Sequence, residues 1–468
     1  MKIKLAKTEN IHFIGIGGIG MSGLAIIMGS MGFKIQGSDI STGKNIDRLK
    51  QHKIKVLIGH KKNHVLGSTI IVISSAIKKN NPELLEAKKR KLPIFKRGEM
   101  LGHIVSLKKN IVVSGSHGKT TTTSLISSIF NSTSIDPTII NGGVLNSDGN
   151  SARLGKSDWC IVEADESDGS FLDLPISYSI VNNIDKEHLD HYGSLENLKN
   201  NFKKFIEKTP SFGKCFICLD DDINREVVKQ IKIKNILTYG LKLNSNFRIN
   251  NIKRDKNFSK FDIMISIPGQ KNNKIKNLVI PLLGLHNIRN ATAAIAVAYS
   301  IGISNKMIKN GLKSFKGVQR RFNHIFKYKN SIFIDDYAHH PTEIYSVLEG
   351  VKSVYKDEKI YCVFQPHRIS RLNTLKSKFV KCFEEADFVL LCPVYKAGEN
   401  LKLNFVYKNF AKEIIKFSNV KLIMIRNQDE LSKFVKHNIY GNNLVIGMGA
   451  GSISNWMRML PKNLNENK

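Results

Sequence analysis

The stretch that most constrains this chain is IVVSGSHGKTTTT, residues 111–123. Ile111, Val112 and Val113 form a short apolar run that reads as a buried strand, while Leu125, Ile126, Ile129 and Phe130 recur at helical spacing. Gly115 and Gly118 lie between them, so the chain must turn sharply from strand into helix. Such a turn aims several backbone N–H groups and the positive helix end at one point, which suits a polyphosphate. Gly115, Ser116, His117 and Gly118 then line the cradle and Lys119 reaches the outer phosphates. Thr120 and Thr121 open the helix, with the Thr120 hydroxyl offered to an accompanying Mg2+. The usual P-loop has four residues between its glycines; here only Ser116 and His117 intervene. The motif predicts an α/β domain that binds ATP.

A second glycine turn stands near the N-terminus. Ile11 to Ile14 read as a strand, followed by Gly15, Gly17, Gly18 and Gly20 in a GxGxxG pattern and then the helical run MSGLAIIMGSMG. The next strand ends at Ser38 and Asp39, where a nucleotide-binding βαβ unit places its ribose-reading acid. Taken alone, the pattern suggests NAD and an oxidoreductase. A glycine turn at a helix start binds any diphosphate, however, so a diphosphate nucleotide is the more secure expectation. The strand-like STIIVISSAI places Ser74 and Ser75 at a carboxyl strand end, the edge that lines the ligand crevice of an open α/β sheet. Arg97 and Glu99 open a further helix.

Beyond the P-loop, NGGVLNSDGNSARLGKS reads as a polar loop, and DWCIVEADESD as an apolar strand ending in Glu163, Asp165, Glu166 and Asp168. A carboxylate at the end of a strand beside a P-loop is the usual second anchor for Mg2+, and Glu163 emerges first. His188, Asp190 and His191 cluster after the following strand. Residues 214–280 read as short strands and polar loops without obvious chemistry. GLHNIRN then brings His286, Asn287 and Asn290 to the start of an apolar helix. The last third alternates strands with helices and carries its unusual residues at strand ends: Asp336, Tyr337, His339 and His340; His367, Arg368 and Arg371; Gly398 and Glu399. That describes a further α/β domain with one functional edge.

A chain of 468 residues has room for about three domains of usual size. The net charge of +33 raises the question of a nucleic-acid partner. The lysines are spread along the whole chain among Asn and Ile, with no arginine-rich tail, so no nucleic-acid role is expected. No run approaches the ~20 apolar residues of a membrane span. Six scattered cysteines, mostly inside apolar runs, fit a reduced, cytoplasmic protein. The Cys215/Cys218 pair lacks the second ligand pair of a zinc site.

With these motifs on the page, the chain resembles the Mur ligase family over essentially its whole length. GIGGIGMSG with GSD, GSHGKTTTT, EADESD, the His188 segment, GLHNIRN, GVQRRF, DDYAHHPTE and QPHRISR occur in family order. Ser116 stands where relatives often carry Thr, and Ala338 where many carry Gly. The resemblance implies three α/β domains: a Rossmann-like UDP-sugar domain at 1–107, a P-loop ATPase-type domain at 108–314 and a Rossmann-like amino-acid domain at 315–468. It implies ligation of L-alanine to UDP-N-acetylmuramate through an acyl phosphate, by a monomer or weak homodimer. A relative that attaches an intact tripeptide to the same sugar is the alternative. Lys119, Glu163, His188, Asn287, Asn290, Arg321 and Asp336 become the catalytic and ATP-site positions. Thr120, Glu163 and His188 become the Mg2+ ligands. Gly15, Gly17, Gly18, Gly20, Ser38, Asp39, Ser74 and Ser75 face the UDP-sugar, and Tyr337, His367, Arg368 and Arg371 receive the amino acid.

Overall fold

The computed structural model describes residues 8–143, 146 and 152–465, with the side chains of Asp190 and Asn465 outside the description. Most of the polar loop at 141–151 and the first seven residues therefore lie outside the described residues. The chain carries three sheets. By internal packing it divides into two units: one runs to Ile252 and takes in Phe261–Ile280 and Arg289–Lys316, and the other holds Lys253–Lys260, Pro281–Ile288 and the chain from Gly317 onward.

The first unit begins with five parallel strands in the order Lys55–Ile58, Lys34–Asp39, Asn10–Ile14, Ile70–Ile73, Ile94–Lys96. The chain builds outward on one side from Asn10–Ile14 and then crosses to the other, so the strand order reverses between Asn10–Ile14 and Ile70–Ile73. Open α/β sheets bind ligands at that switch point. The helix Ile19–Ser30 follows the first glycine turn and is buried along most of its length, with Leu24, Ile27 and Met28 packed into a core that also holds Ile11 and Phe13.

The second sheet of this unit has ten strands. The P-loop strand Lys109–Ser114 pairs in parallel with Trp159–Glu163 on one side and Tyr178–Val181 on the other. Being buried on both faces, it is a continuous apolar run rather than an alternating one. Residues 214–280 hold more regular structure than their polarity suggests: a helix Asp222–Lys229 and strands Phe247–Arg254, Ser259–Ile265 and Asn273–Ile280. Their outer faces are half exposed, so polar residues alternate with core residues such as Phe247, Ile249, Phe261 and Ile263. Cys215 and Cys218 lie in the strand Lys214–Cys218 as buried thiols.

The other unit is built on six strands in the order Asn323–Tyr328, Ser331–Asp336, Asn443–Met448, Lys359–Phe364, Phe388–Leu391, Lys421–Met424. All run parallel except the edge hairpin strand Asn323–Tyr328. Buried Asp335 anchors the C-terminal helix, accepting from Ser454 Oγ at 2.6 Å and pairing with Arg458 at 3.1 Å.

Candidate active site

Three neighbouring strands of the ten-stranded sheet deliver one constellation. The end of Lys109–Ser114 supplies the turn Gly115–Gly118, and the helix Lys119–Asn131 follows at once. Gly118 has φ +79°, and a Cβ there would sit 2.5 Å from Asn290 Oδ1, so both conformation and space call for glycine. Asn183 and Asp185, beyond the next strand, fix the turn. The Ser116 and His117 amides donate to the Asn183 carbonyl and Oδ1 at 3.0 and 2.8 Å, and Ser116 Oγ accepts from the Asp185 amide at 2.8 Å.

Lys119 is folded onto its own turn, donating to the Gly115 carbonyl at 2.6 Å and the Ser116 carbonyl at 3.1 Å, and lying 2.7 Å from Glu166 Oε2. Burial alone would depress the Lys119 ammonium; Glu166, Asp165 and Glu163 outweigh it and hold the value above the ordinary lysine range. The same burial pushes the Glu166 carboxyl up to about 7, with Asp165 and Glu187 adding to the rise and Lys119 opposing it. Thr120 Oγ1 donates to Glu163 Oε1 at 3.0 Å, while Glu163 Oε2 accepts from the Gly142 amide at 2.7 Å. His188 has its backbone in the left-handed region, at φ +55°, and turns Nε2 to within 3.6 Å of Glu166 Oε1 and 4.0 Å of Glu187 Oε2.

The proposed metal ligands thus occur in two groupings, Thr120 with Glu163 and His188 with Glu166 and Glu187. The atoms of the second set lie within 4.8 Å of one another. A hydroxyl and carboxylates are hard oxygen donors of the kind Mg2+ takes, so the residues present fit the ion. Glu166 and Glu187 were not singled out by sequence. Glu166 is one of four acids that look alike after the strand, and only the fold shows that it is buried beneath Lys119.

The N-terminal glycine turn is held by its own acid. The Gly17 amide donates to Asp39 Oδ2 at 2.8 Å, and Asn45 Nδ2 donates to the Gly17 carbonyl at 2.8 Å. Ser74 lies against Gly15, where an added Cβ would meet its Cβ at 3.1 Å, and Ser75 is exposed. The Ser38 side chain points inward instead, donating to buried Glu83 Oε2 at 2.6 Å. Glu83 also meets His12 Nε2 at 3.0 Å and His64 Nδ1 at 2.8 Å. Burial would raise this carboxyl, but the hydrogen bonds from His12 and Ser38 and the charge of His12 hold it at about 2.

In the other unit, Asn287 donates to the Leu283 carbonyl at 2.7 Å. Asp336 is buried, which raises its carboxyl to about 6 against the pull of Arg321, and its two oxygens accept from the amides of Phe322 at 2.8 Å and Ala338 at 2.7 Å. Tyr337 is flanked by the guanidinium groups of Arg320 and Arg321, at 4.7 and 5.2 Å from its ring centre. Arg371 donates to the His367 carbonyl at 3.2 Å. His367 packs edge-on to His339 and flat on Tyr395, a ring that sequence reasoning missed. Burial, with His339, Arg371 and Arg368 nearby, lowers His367 to about 3, leaving it neutral at ordinary pH.

The chain matches three family descriptions in succession: "Mur ligase family, catalytic domain" over residues 10–109, "Mur ligase middle domain" over 113–298 and "Mur ligase, glutamate ligase domain" over 320–451. It is 63% identical over 462 residues to the UDP-N-acetylmuramate–L-alanine ligase of Pelagibacter ubique, covering 99% of this chain and 100% of that one. The chain belongs to the Mur ligase family. A ligase of the same name from Brucella ovis is 41% identical over 458 residues, covering 97% of both chains. Among solved structures, the UDP-N-acetylmuramate–alanine ligase of Thermotoga maritima superposes with TM-score 0.80 at 27% identity, covering 98% of this chain and 100% of that one. A murein peptide ligase from Psychrobacter arcticus gives 0.71 at 22% identity over 98% and 99% of the two chains, a likeness of fold alone. Among the described residues, no helix is long and apolar enough to cross a membrane.

Proposed function

We propose that the chain is an ATP-dependent, amide-forming ligase that joins L-alanine to UDP-N-acetylmuramate. The observation that carries this is the 63% identity, over the full length of both chains, to a ligase of that name. The three matched stretches are in line with domains at 1–107, 108–314 and 315–468. On this reading, with UDP-sugar and ATP as its substrates, the enzyme works in the cytoplasm.

A carboxylate is a poor acceptor for an amine, so the substrate carboxyl first takes the γ-phosphoryl group of ATP. One carboxylate oxygen bonds to phosphorus and the bond from phosphorus to the ADP oxygen breaks. The L-alanine amine then attacks the acyl carbon, a proton leaves the nitrogen, and phosphate departs as the amide forms. Lys119 carries the charge complement for the transferring phosphoryl group, and the turn Gly115–Gly118 orients it through backbone N–H donors. Thr120, Glu163 and His188 would hold Mg2+, which offsets phosphate charge when bound. Asn290 covers the P-loop glycine, Arg321 and Asp336 serve the nucleotide, and Tyr337, His367, Arg368 and Arg371 hold the amino acid.

The test is phosphate release from ATP in the presence of UDP-N-acetylmuramate, comparing L-alanine, glycine, L-serine and a peptidoglycan tripeptide. Release should be fastest with L-alanine. Release with tripeptide and none with L-alanine would replace this reading with a recycling ligase.

A further inference from the structure

Arg97 has no assigned task. It opens the helix Arg97–Val105 at the carboxyl end of the strand Ile94–Lys96, on the sheet edge that carries the N-terminal glycine turn. Its guanidinium lies across Gly20, in the first turn of the helix Ile19–Ser30. A Cβ added to Gly20 would meet Arg97 Nη1 at 3.1 Å and Cζ at 3.6 Å, so the absent side chain is what makes room for the arginine. The backbone beneath Arg97 is pinned, because Glu99 Oε2 accepts from the Lys96 amide at 2.6 Å.

The same helix lies close against the segment that follows the acidic strand end. A Cβ on Gly98 would fall 2.8 Å from Ser170 Cβ, and one on Gly102 would fall 3.1 Å from the Asp173 carbonyl oxygen. Arg97 is thereby carried on a helix that packs against this segment. Arg97 therefore stands on the glycine turn, at the start of a helix that packs against the segment beyond the acidic strand end. Among the described residues its half-buried guanidinium makes no hydrogen bond or ion pair. Five N–H donors set in a planar fork match a carboxylate.

Resting on the UDP-sugar reading of the glycine turn, we propose that Arg97 binds the lactyl carboxylate of UDP-N-acetylmuramate and holds it on the path to the phosphoryl donor. The diphosphate already has the amides and helix end of the Gly15–Gly20 turn. The substrate's remaining anion is the carboxylate that reacts, and Arg97 is a cation on that turn whose helix packs against the segment beyond the acidic strand end.

The experiment compares UDP-N-acetylmuramate with UDP-N-acetylglucosamine, which shares the nucleotide and diphosphate but lacks the lactyl group. Calorimetric titration of the full chain should show Arg97→Gln weakening the muramate at least tenfold while leaving the glucosamine within about twofold, with Arg97→Lys intermediate. ATP affinity and thermal midpoint, measured alongside, should match wild type, and Arg97→Lys carries the test if the glutamine variant does not fold. Equal losses on both sugars would put Arg97 on the diphosphate and overturn the proposal. Unchanged affinity for both would overturn it as well. If wild type binds neither UDP-sugar, the underlying reading of the turn fails, and the proposal with it.

Discussion

Glu83 and Glu166 are both buried glutamates behind glycine turns, yet they sit on opposite sides of the ordinary carboxylate range. Glu83 is surrounded by donors, His12, His64 and Ser38, and is held down at about 2. Glu166 lies among acids, with Asp165 and Glu187 close by and Lys119 as its main relief, and is pushed up to about 7. Burial acts on both in the same direction; the partners decide the sign. On the proposed function, the difference separates two kinds of phosphate turn. Behind the N-terminal turn the charges are settled, as a surface that only binds requires. Behind the P-loop a group of carboxylates faces Lys119, which is folded onto the carbonyls of its own turn, an arrangement that incoming phosphates would reorganise.

The largest effect expected from this contrast falls on Lys119. Lys119→Ala should reduce turnover on the order of 10³-fold, since it removes the charge that meets the transferring phosphoryl group. UDP-sugar affinity, set at the other turn, should change less than about threefold. Single-turnover phosphate release with parallel UDP-sugar titration checks both. A comparable loss in each would erase the distinction between the turns.

Next comes Glu83. The native state binds fewer protons than the unfolded chain between the ordinary value of 4.5 and the folded value of about 2. Its stabilisation is therefore complete above the first value and lost as pH falls through the second, about 3 kcal/mol in all. Glu83→Gln should lower the thermal midpoint at pH 7 by roughly 8 °C, and the gap to wild type should narrow on acidification from pH 4.5 toward pH 2. A gap that stays constant over that range would show that the carboxylate charge is not what holds the cluster.

These two glutamates also mark how much of the molecule could be read from sequence. The P-loop, the GxGxxG turn and the run of strand-end residues in the last third are local patterns, each fixed by a few neighbouring residues, and the structure places them at carboxyl ends of parallel strands. Thr120 with Glu163 was legible for the same reason, since both follow directly from strand ends. Glu83 was not, because it begins an ordinary charged helix and its partners come from residues 12, 38 and 64. Burial of that kind is a property of the assembled sheet. Ser38 shows the cost: its place after a strand suggests a ligand contact, while its hydroxyl is spent on Glu83. The strands from 247 to 280 were under-read because one face of each stays polar.

The smallest effect sharpens the contrast most. Burial, with Asp165 and Glu187 beside it, already raises the Glu166 carboxyl, so an amide of the same shape costs the folded chain little charge. Glu166→Gln should leave the thermal midpoint at pH 7 within about 2 °C of wild type, far from the loss expected at Glu83. Its effect should instead reach turnover, because Lys119 loses the carboxylate that positions it. A fall in kcat of roughly 30-fold, with the UDP-sugar KM unchanged, is the expected split. Steady-state kinetics beside thermal unfolding of the same preparation make the test. A large loss of stability with normal kcat would make Glu166 a structural anchor like Glu83, and the two buried carboxylates would then differ in their partners but not in their work.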